Sequence, residues 1–279
     1  MDYIEVNGGI EFCPGDDFDP VKIFECGQCF RWNMESSGDY VGVAMGIPAR
    51  VRKTGDKVFI SGTREDFENI WVNYFDLQRN YGEIRKNLCI DEYIKSASDY
   101  GAGIRILNQD RWEALCSFII SQCNNIPRIK KIVETLCSLF GEEKEFEGKT
   151  YYTFPSAETI AQLTPEDLAP LRAGYRAPYI IAAAKAVFSG EIDLDALAKT
   201  DPDNARKVLT SLPGIGEKVA NCAILFSLNM TSAFPIDVWM KKAIAEHYGK
   251  GFDHRVFGEY AGIAQQYMFY YQREEKNRE

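Results

Sequence analysis

A short glycine-rich segment carries a lysine that could act as a nucleophile. It reads Leu212-Pro213-Gly214-Ile215-Gly216-Glu217-Lys218, with a glycine on each side of a branched apolar residue. We interpret it as a tight turn between two helices, with Lys218 in the first turn of the second helix. The positive end of that helix disfavours an ammonium ion and so favours the neutral amine. A neutral amine can attack a sugar C1′ and form a Schiff base.

The same turn could bind an anion without a basic side chain. Gly214 and Gly216 allow backbone conformations and close approaches that a Cβ would block. The free N–H groups at the start of the following helix then form a site for a phosphate. An ordinary glycine-rich turn between helices explains this motif equally well when it is taken alone.

A carboxylate follows the lysine nineteen residues later. In Phe234-Pro235-Ile236-Asp237-Val238, a proline precedes Asp237, which we expect to be a helix N-cap. Taken singly, Lys218 is better explained as a surface lysine and Asp237 as a capping aspartate. The hairpin, the lysine and the Pro-x-Asp together are more specific, and they indicate a nucleophile assisted by a carboxylate.

Composition limits the class of protein. The 279 residues are 46% hydrophobic, enough for a core of two or three packed subdomains. No run of 18 apolar residues occurs, so we expect no membrane span. The start Met1-Asp2-Tyr3-Ile4-Glu5 is acidic where a secretory signal would be basic. We therefore expect a monomeric cytoplasmic protein, associated with the nucleoid if the source is prokaryotic.

The cysteines and histidines predict no metal site. Of eight cysteines, only Cys26 and Cys29 are closely spaced, and a zinc ribbon needs a second such pair. The chain has just two histidines to assist them. Reduced thiols are therefore the favoured interpretation.

The net charge of −9 counts against a nucleic-acid partner. The field at the docking face matters more than the total, however, and much of the acid lies in stretches such as 141–147 that we take to be peripheral.

Hydrophobic patterning predicts a β-containing N-terminal domain followed by a helical body. Alternating residues predict an antiparallel meander with strands near 40–44, 49–52 and 57–60. A helical period begins at Asp66 and returns at Trp112. From there, breaks at Pro and Gly predict helices at 112–121, 126–140, 157–163, 165–171, 177–189, 202–210, 217–228, 238–247 and 255–271, with a frayed tail at 272–279. We expect domains at 1–100 (antiparallel β/α) and 101–279 (helical), and the N-terminal helices could pack with the second.

The lysine-bearing hairpin and the Pro235-Ile236-Asp237 loop resemble the helix-hairpin-helix (HhH-GPD) glycosylase superfamily. The lysine and the Pro-x-Asp spacing are those of the 8-oxoguanine DNA glycosylase/AP lyases, and the resemblance spans about residues 20–270. It implies an α+β fold, with an N-terminal antiparallel β-sheet domain (TBP-like) before an all-helical HhH-GPD body. It also implies that Lys218 is the nucleophile and Schiff-base residue, while Asp237 assists attack and stabilises positive charge on the sugar. The implied substrate is duplex DNA containing 8-oxoguanine.

Two further segments resemble the family's base pocket. Phe24-Glu25-Cys26-Gly27-Gln28-Cys29-Phe30-Arg31-Trp32 is similar to its Gly-Gln-x-Phe-Arg-Trp signature, which implies that the Gly27 carbonyl accepts a hydrogen bond from N7–H of 8-oxoguanine. Near the other end, the resemblance makes Phe269 one wall of the base slot and Gln265 the residue that reads the Watson–Crick edge. Cys222 would form the opposite wall. A turn glycine and simple core packing are the ordinary alternatives.

Residues 118–129 and the segment Gly174-Tyr175-Arg176-Ala177 resemble the loops that contact the base opposite the lesion. The resemblance implies that Asn125, Arg128 and Arg176 read cytosine and that Tyr175 is the wedge. The chain departs from the family twice. Cys123 stands where asparagine usually fills the vacated space, and Trp239 stands where many relatives have histidine.

Two rival functions share parts of this pattern. A non-catalytic helix-hairpin-helix module explains the hairpin but not the pairing of Lys218 with Asp237. A monofunctional alkyl-purine glycosylase needs the aspartate but not the lysine. The four-cysteine iron–sulfur loop of the endonuclease III and adenine-glycosylase branches is absent, since no cysteine follows Cys222. We therefore expect no cofactor.

Overall fold

The N-terminal part of the molecule is built on one antiparallel sheet. A computed structural model describes residues 2–15 and 17–276. Among these, six strands pair in the order β1-β2-β6-β5-β4-β3. They are β1 Tyr3–Val6, β2 Gly9–Phe12, β3 Trp32–Met34, β4 Tyr40–Ala44, β5 Ile47–Thr54 and β6 Lys57–Ser61. The three strands that alternation predicted are confirmed as β4, β5 and β6.

The register of the sheet places one apolar row across four strands. Ile10 pairs with Ile60, Ile60 with Val51, and Val51 with Tyr40, and all four side chains are buried. They face a core that includes Trp32, whose indole nitrogen donates to the hydroxyl of Tyr74 at 2.8 Å. A short helix, α1 (Pro20–Glu25), packs on this core and leads directly into the loop that contains Gly27.

The rest of the described chain is mainly helical. Its helices are α2 Arg64–Asp66, α3 Val72–Tyr74, α4 Tyr81–Leu88, α5 Glu92–Tyr100, α6 Arg111–Ile120, α7 Ile126–Phe140, α8 Ala157–Ala161, α9 Ala177–Phe188, α10 Leu194–Leu197, α11 Pro202–Leu209, α12 Glu217–Phe226, α13 Val238–His247 and α14 Ala261–Lys276. A π-helical turn, Phe67–Trp71, joins α2 to α3, and 3₁₀ turns occupy Ala169–Leu171, Gly174–Arg176 and His254–Tyr260. Helix α14 packs against α5 and α13, so it connects the N-terminal helices with the catalytic body.

The helical body contains one short helix, α10, that was not predicted, and it departs from its predicted elements in four further places. A hairpin of β7 (Glu143–Phe146) and β8 (Lys149–Tyr152) interrupts it, because Glu147 and Gly148 both have positive φ and form a two-residue turn. The helix predicted at 165–171 is only a 3₁₀ turn containing Pro170. Gly258, with φ +57°, breaks the helix predicted at 255–271. The tail predicted to fray stays helical through Lys276, and residues 277–279 lie outside the described part.

Candidate active site

The hairpin between α11 and α12 needs only one of its two glycines for steric reasons. Gly214 has φ +78°, and a Cβ there would lie 2.2 Å from the ring of Tyr179. Gly216 has φ −89°, and a Cβ there would meet nothing within 4 Å. Gly216 is also the N-cap of α12, where no side chain caps the helix. The start of α12 is therefore open to an incoming anion.

Lys218 is the second residue of α12 and lies against an aromatic surface. Its Nζ is 6.0 Å from the centre of the Phe118 ring, which stacks on Phe226 at 5.1 Å. Cys222 follows one turn later and is buried. Burial raises the pKa of the Cys222 thiol, and the neighbouring Lys218 offsets part of that rise. The amine and the thiol line the same pocket.

Asp237 is the N-cap of α13, as the sequence predicted. Its Oδ1 accepts a hydrogen bond from the backbone N–H of Met240 at 2.9 Å. The carboxylate is half-buried, and it also raises the pKa of Cys222, which places it near the same thiol as Lys218. The helix cap fixes the position of the carboxylate beside the lysine.

A small pocket of about 60 Å³ unites the predicted catalytic and base-binding residues. It is lined by Cys26, Gly27, Phe118, Lys218, Cys222, Phe226, Pro235, Asp237, Gln265, Gln266 and Phe269. Gln265 is buried, and its Oε1 has no hydrogen-bond partner among the residues that the structure describes. Since an unpaired buried carbonyl is costly, the orphaned oxygen of Gln265 points to a ligand that would supply a donor.

A larger groove of about 560 Å³ adjoins this pocket and shares Gly27, Lys218, Asp237 and Phe269 with it. The groove continues past Trp239 to the loop before α7, where Ser121, Asn124 and Asn125 line it. Asn125, one of the residues predicted to contact the opposite base, therefore lies on a groove that ends at the base pocket.

Asn125 and Arg128 hold the start of α7. The Oδ1 of Asn125 accepts from the backbone N–H of Arg128 at 3.0 Å, so Asn125 is the N-cap of this helix. The Arg128 side chain is exposed, and its Nη2 donates to the carbonyl of Arg172 at 3.1 Å. Asn125 lines the groove, whereas Arg128 lines a neighbouring cavity with Arg172, and both side chains have hydrogen-bonding capacity to spare.

Arg176 and Tyr175 differ in burial, since Arg176 is buried and Tyr175 is exposed. Arg176 is 3% exposed, and its guanidinium donates to the carbonyls of Gln122, Cys123 and Ala173. Tyr175 is 51% exposed, with its ring 4.5 Å from the guanidinium carbon of Arg176. In the free protein Arg176 therefore binds the loop before α7, while Tyr175 projects as a wedge would. The role of Arg176 in reading cytosine stays a prediction.

Three residues around the site had no predicted role but contact its functional parts: Phe118 and Gln266 line the small pocket, and Arg273 lines the adjoining groove. Phe118 underlies the lysine, whereas Gln266 and Arg273 contact the backbone of the Gly27 loop. A signal for Gln266 existed in the sequence, since it is a second polar residue beside Gln265 in the otherwise apolar stretch 261–271 of α14. Its partner lies too far away along the chain for any local pattern to reveal.

The described residues contain no His, Cys, Asp or Glu cluster that could hold a metal ion. Within the same residues, no helix has the length and apolarity needed to cross a bilayer. All eight cysteines are free thiols, and burial raises the pKa of Cys26 to about 11.

Comparison with solved structures identifies proteins that share the fold over nearly the whole chain. MBOgg1, solved in complex with a low-affinity DNA ligand, superposes with a TM-score of 0.94 at 43% identity, covering 99% of this chain and 100% of the other. The chain belongs to the 8-oxoguanine DNA glycosylase family. Two family models agree with this membership. Residues 12–115 match the 8-oxoguanine DNA glycosylase N-terminal domain, and residues 116–254 match the HhH-GPD superfamily of base excision DNA repair proteins.

Two further family members support the assignment. The Clostridium acetobutylicum 8-oxoguanine glycosylase/lyase, solved with double-stranded DNA containing cytosine opposite 8-oxoG, has a TM-score of 0.93 at 37% identity, covering 99% of each chain. A probable N-glycosylase/DNA lyase of Methanothermobacter thermautotrophicus is 29% identical over 235 residues, which is 74% of this chain and 73% of the relative. These matches confirm the predicted family, fold class and enzyme class, a DNA glycosylase/AP lyase of base excision repair.

Proposed function

We propose that this protein excises 8-oxoguanine from duplex DNA and then cleaves the strand, with Lys218 as its nucleophile. The observation that carries the proposal is the single pocket in which Lys218, Asp237 and the base-binding set meet. The activity agrees with the family and with the Clostridium relative, a glycosylase/lyase solved with 8-oxoG opposite cytosine.

The chemistry follows from an amine beside a carboxylate. Nζ of Lys218 attacks the sugar C1′ while the N-glycosidic bond breaks and the base leaves with the bonding electrons. Opening of the sugar ring gives a Schiff base between C1′ and the lysine. Loss of a C2′ proton then breaks the C3′–O bond, which is the lyase step. The capped Asp237 carboxylate faces the positive charge that develops on the sugar and lowers the barrier to excision.

Base selectivity rests on the walls of the pocket. A planar base would enter between Cys222 and Phe269 and present its Watson–Crick edge to Gln265, whose Oε1 lacks a donor. The Gly27 carbonyl would accept from N7–H of 8-oxoguanine. Guanine would instead present a lone pair to that carbonyl, and two acceptors facing each other in a buried site are unfavourable.

The DNA backbone would bind at the start of α12. The uncapped N-terminus of α12 and the empty space beside Gly216 fit a phosphate, which explains how a chain of net charge −9 binds DNA. Asn125, Arg128 and Arg176 would contact the cytosine and Tyr175 would fill the gap beside it. The reaction as written uses protein side chains alone, and we propose that one chain is sufficient for it.

Single-turnover assays on a duplex with 8-oxoguanine opposite cytosine test the proposal. We expect base release, strand cleavage and, with borohydride present, a covalent protein–DNA complex, since only a Schiff base is captured. An undamaged G:C duplex is the control. Base release without capture would instead indicate a monofunctional glycosylase. Binding without either reaction would indicate a non-catalytic DNA-binding module.

A further inference from the structure

The loop that contains Gly27 is held by side chains from distant parts of the chain. The carbonyl of Glu25 accepts from Nη2 of Arg273 at 2.8 Å, and the carbonyl of Cys26 accepts from Nε2 of Gln266 at 2.7 Å. On the other side of Gly27, the carbonyl of Gln28 accepts from Nε2 of Gln109 at 2.8 Å. Three of four successive carbonyls are thus occupied.

The exception is Gly27 itself. Within residues 2–15 and 17–276, no group donates a hydrogen bond to its carbonyl. Gly27 also has φ +84°, a left-handed conformation that glycine adopts without strain. Among these four carbonyls, that of Gly27 alone lacks a donor from the described residues, so it is the one left with both lone pairs for a ligand in the pocket.

Two of the three donors come from α14, the helix that also presents Gln265 and Phe269. Gln266 is 2% exposed, so its bond to Cys26 is shielded from water. The guanidinium carbon of Arg273 lies 5.6 Å from the centre of the Phe269 ring, and its Nη1 lies 3.9 Å from where a Cβ on Gly27 would be. Arg273 therefore contacts both the Phe269 wall of the base slot and the Gly27 loop.

We propose that Gln266 and Arg273 are positioning residues for base selectivity. They fix the Gly27 loop to α14, and so they set the distance and direction of the Gly27 carbonyl relative to the walls of the slot. The inference rests on the proposed role of Gly27 in reading N7–H. It adds that the discrimination between 8-oxoguanine and guanine depends on two side chains that need not touch the base.

The test uses Gln266→Met, which keeps side-chain length but removes the donor. The control is Gln272→Met on the same helix. Gln272 is equally buried, but its amide donates to Glu246 and not to the loop. Binding to 8-oxoguanine and guanine duplexes is compared in a Lys218→Gln background, which removes turnover. Cleavage of a preformed abasic site is measured with Lys218 present, since that reaction needs no base recognition.

We expect Gln266→Met to lower the 8-oxoguanine-to-guanine binding ratio about tenfold, the usual effect of one misplaced buried acceptor. Abasic-site cleavage should be unchanged, and Gln272→Met should keep the ratio of the parent protein. Arg273→Met should act in the same direction and serves as the second variant if Gln266→Met does not fold. Arg273→Lys keeps a donor and should restore most of the ratio.

Other results would overturn the inference. An unchanged ratio in Gln266→Met and Arg273→Met would show that the two bonds do not set selectivity. Equal losses in Gln266→Met and Gln272→Met, or a parallel loss of abasic-site cleavage, would indicate general damage to the fold. A parent protein with no preference for 8-oxoguanine would refute the role of Gly27 itself, and the inference with it.

Discussion

The carbonyl of Gln122 accepts hydrogen bonds from two nitrogens of the Arg176 guanidinium, Nε and Nη2. The same guanidinium reaches the carbonyl of Cys123, a residue with φ +45°. A left-handed conformation is costly for cysteine, so Arg176 stabilises a strained turn at the edge of the groove. The turn at Gln122 and Cys123 is therefore already formed in the free protein.

We expect Arg176→Lys to loosen this turn, because one ammonium group cannot reproduce the planar fork of a guanidinium. Preference for cytosine opposite 8-oxoguanine should fall and the melting temperature should drop, while cleavage of a preformed abasic site persists. Single-turnover excision opposite each of the four bases, together with thermal melting, measures both effects. Unchanged melting with lost preference would instead favour direct reading of cytosine by Arg176.

Cys123 should make the preference for cytosine shallower than in a full family match. Cysteine neither fills the vacated space nor offers an amide's hydrogen bonds. We expect Cys123→Asn to sharpen the preference and Arg128→Ala to flatten it by about tenfold, since one such contact contributes about 1–3 kcal/mol. The assay is excision opposite each base, with Cys89→Asn, at another exposed cysteine, as the control. Retained preference in Arg128→Ala would argue against its assignment as a reader.

Lys218→Gln should abolish both base release and borohydride capture, since glutamine has no nucleophilic amine. Duplex binding should be retained, because the hairpin backbone that faces the phosphate is untouched. Gel-shift binding and capture assays measure the two properties. Lys241→Gln, at an exposed lysine near the start of α13, is the control and should behave as the parent. Capture that survived in Lys218→Gln would place the nucleophile elsewhere.

Two substitutions at Asp237 separate its charge from its helix cap. Asn still accepts the hydrogen bond from Met240, so Asp237→Asn should keep its stability yet lose several orders of magnitude in excision rate. Asp237→Ala should lose the cap as well, at a cost of about 1 kcal/mol in free energy of unfolding. Single-turnover kinetics and denaturant melts measure these effects. Near-normal excision by Asp237→Asn would refute the electrostatic role.

The hairpin glycines should differ in what their replacement does. Gly214→Ala should destabilise the fold by about 1–2 kcal/mol or more, because it forces an unfavourable φ and a clash with the Tyr179 ring. Gly216→Ala should cost less stability than Gly214→Ala, because its φ of −89° is allowed and only a weaker N-cap results, but it should weaken DNA binding, since its methyl group enters the space proposed for a phosphate. Thermal melting and binding titrations distinguish the two. Equal DNA affinity for Gly216→Ala and the parent would show that no phosphate binds at that position.

The sequence predicted the parts of this molecule whose signals are local. Lys218 and Asp237 belong to short motifs at helix starts, and strands β4 to β6 alternate over adjacent segments, so each could be read from a few residues. The β7–β8 hairpin was missed because its two strands contain few strongly apolar residues, so no alternating apolar pattern marks them in the sequence. The burial of Arg176 was missed for a different reason. Its partners are backbone carbonyls, which every residue has and no sequence distinguishes.

The hydrogen bonds from Gln266 and Arg273 to the Gly27 loop join residues that are 240 and 248 positions apart in the sequence, respectively. During synthesis, the lysine, the aspartate and the hairpin would all leave the ribosome before α14 does. Contacts of such long range also carry a large entropic cost of loop closure, so we expect them to form late in folding. During synthesis, Lys218 would therefore be present before the Gly27 loop is fixed to α14. The part of the site that distinguishes 8-oxoguanine from guanine would be the last to be completed.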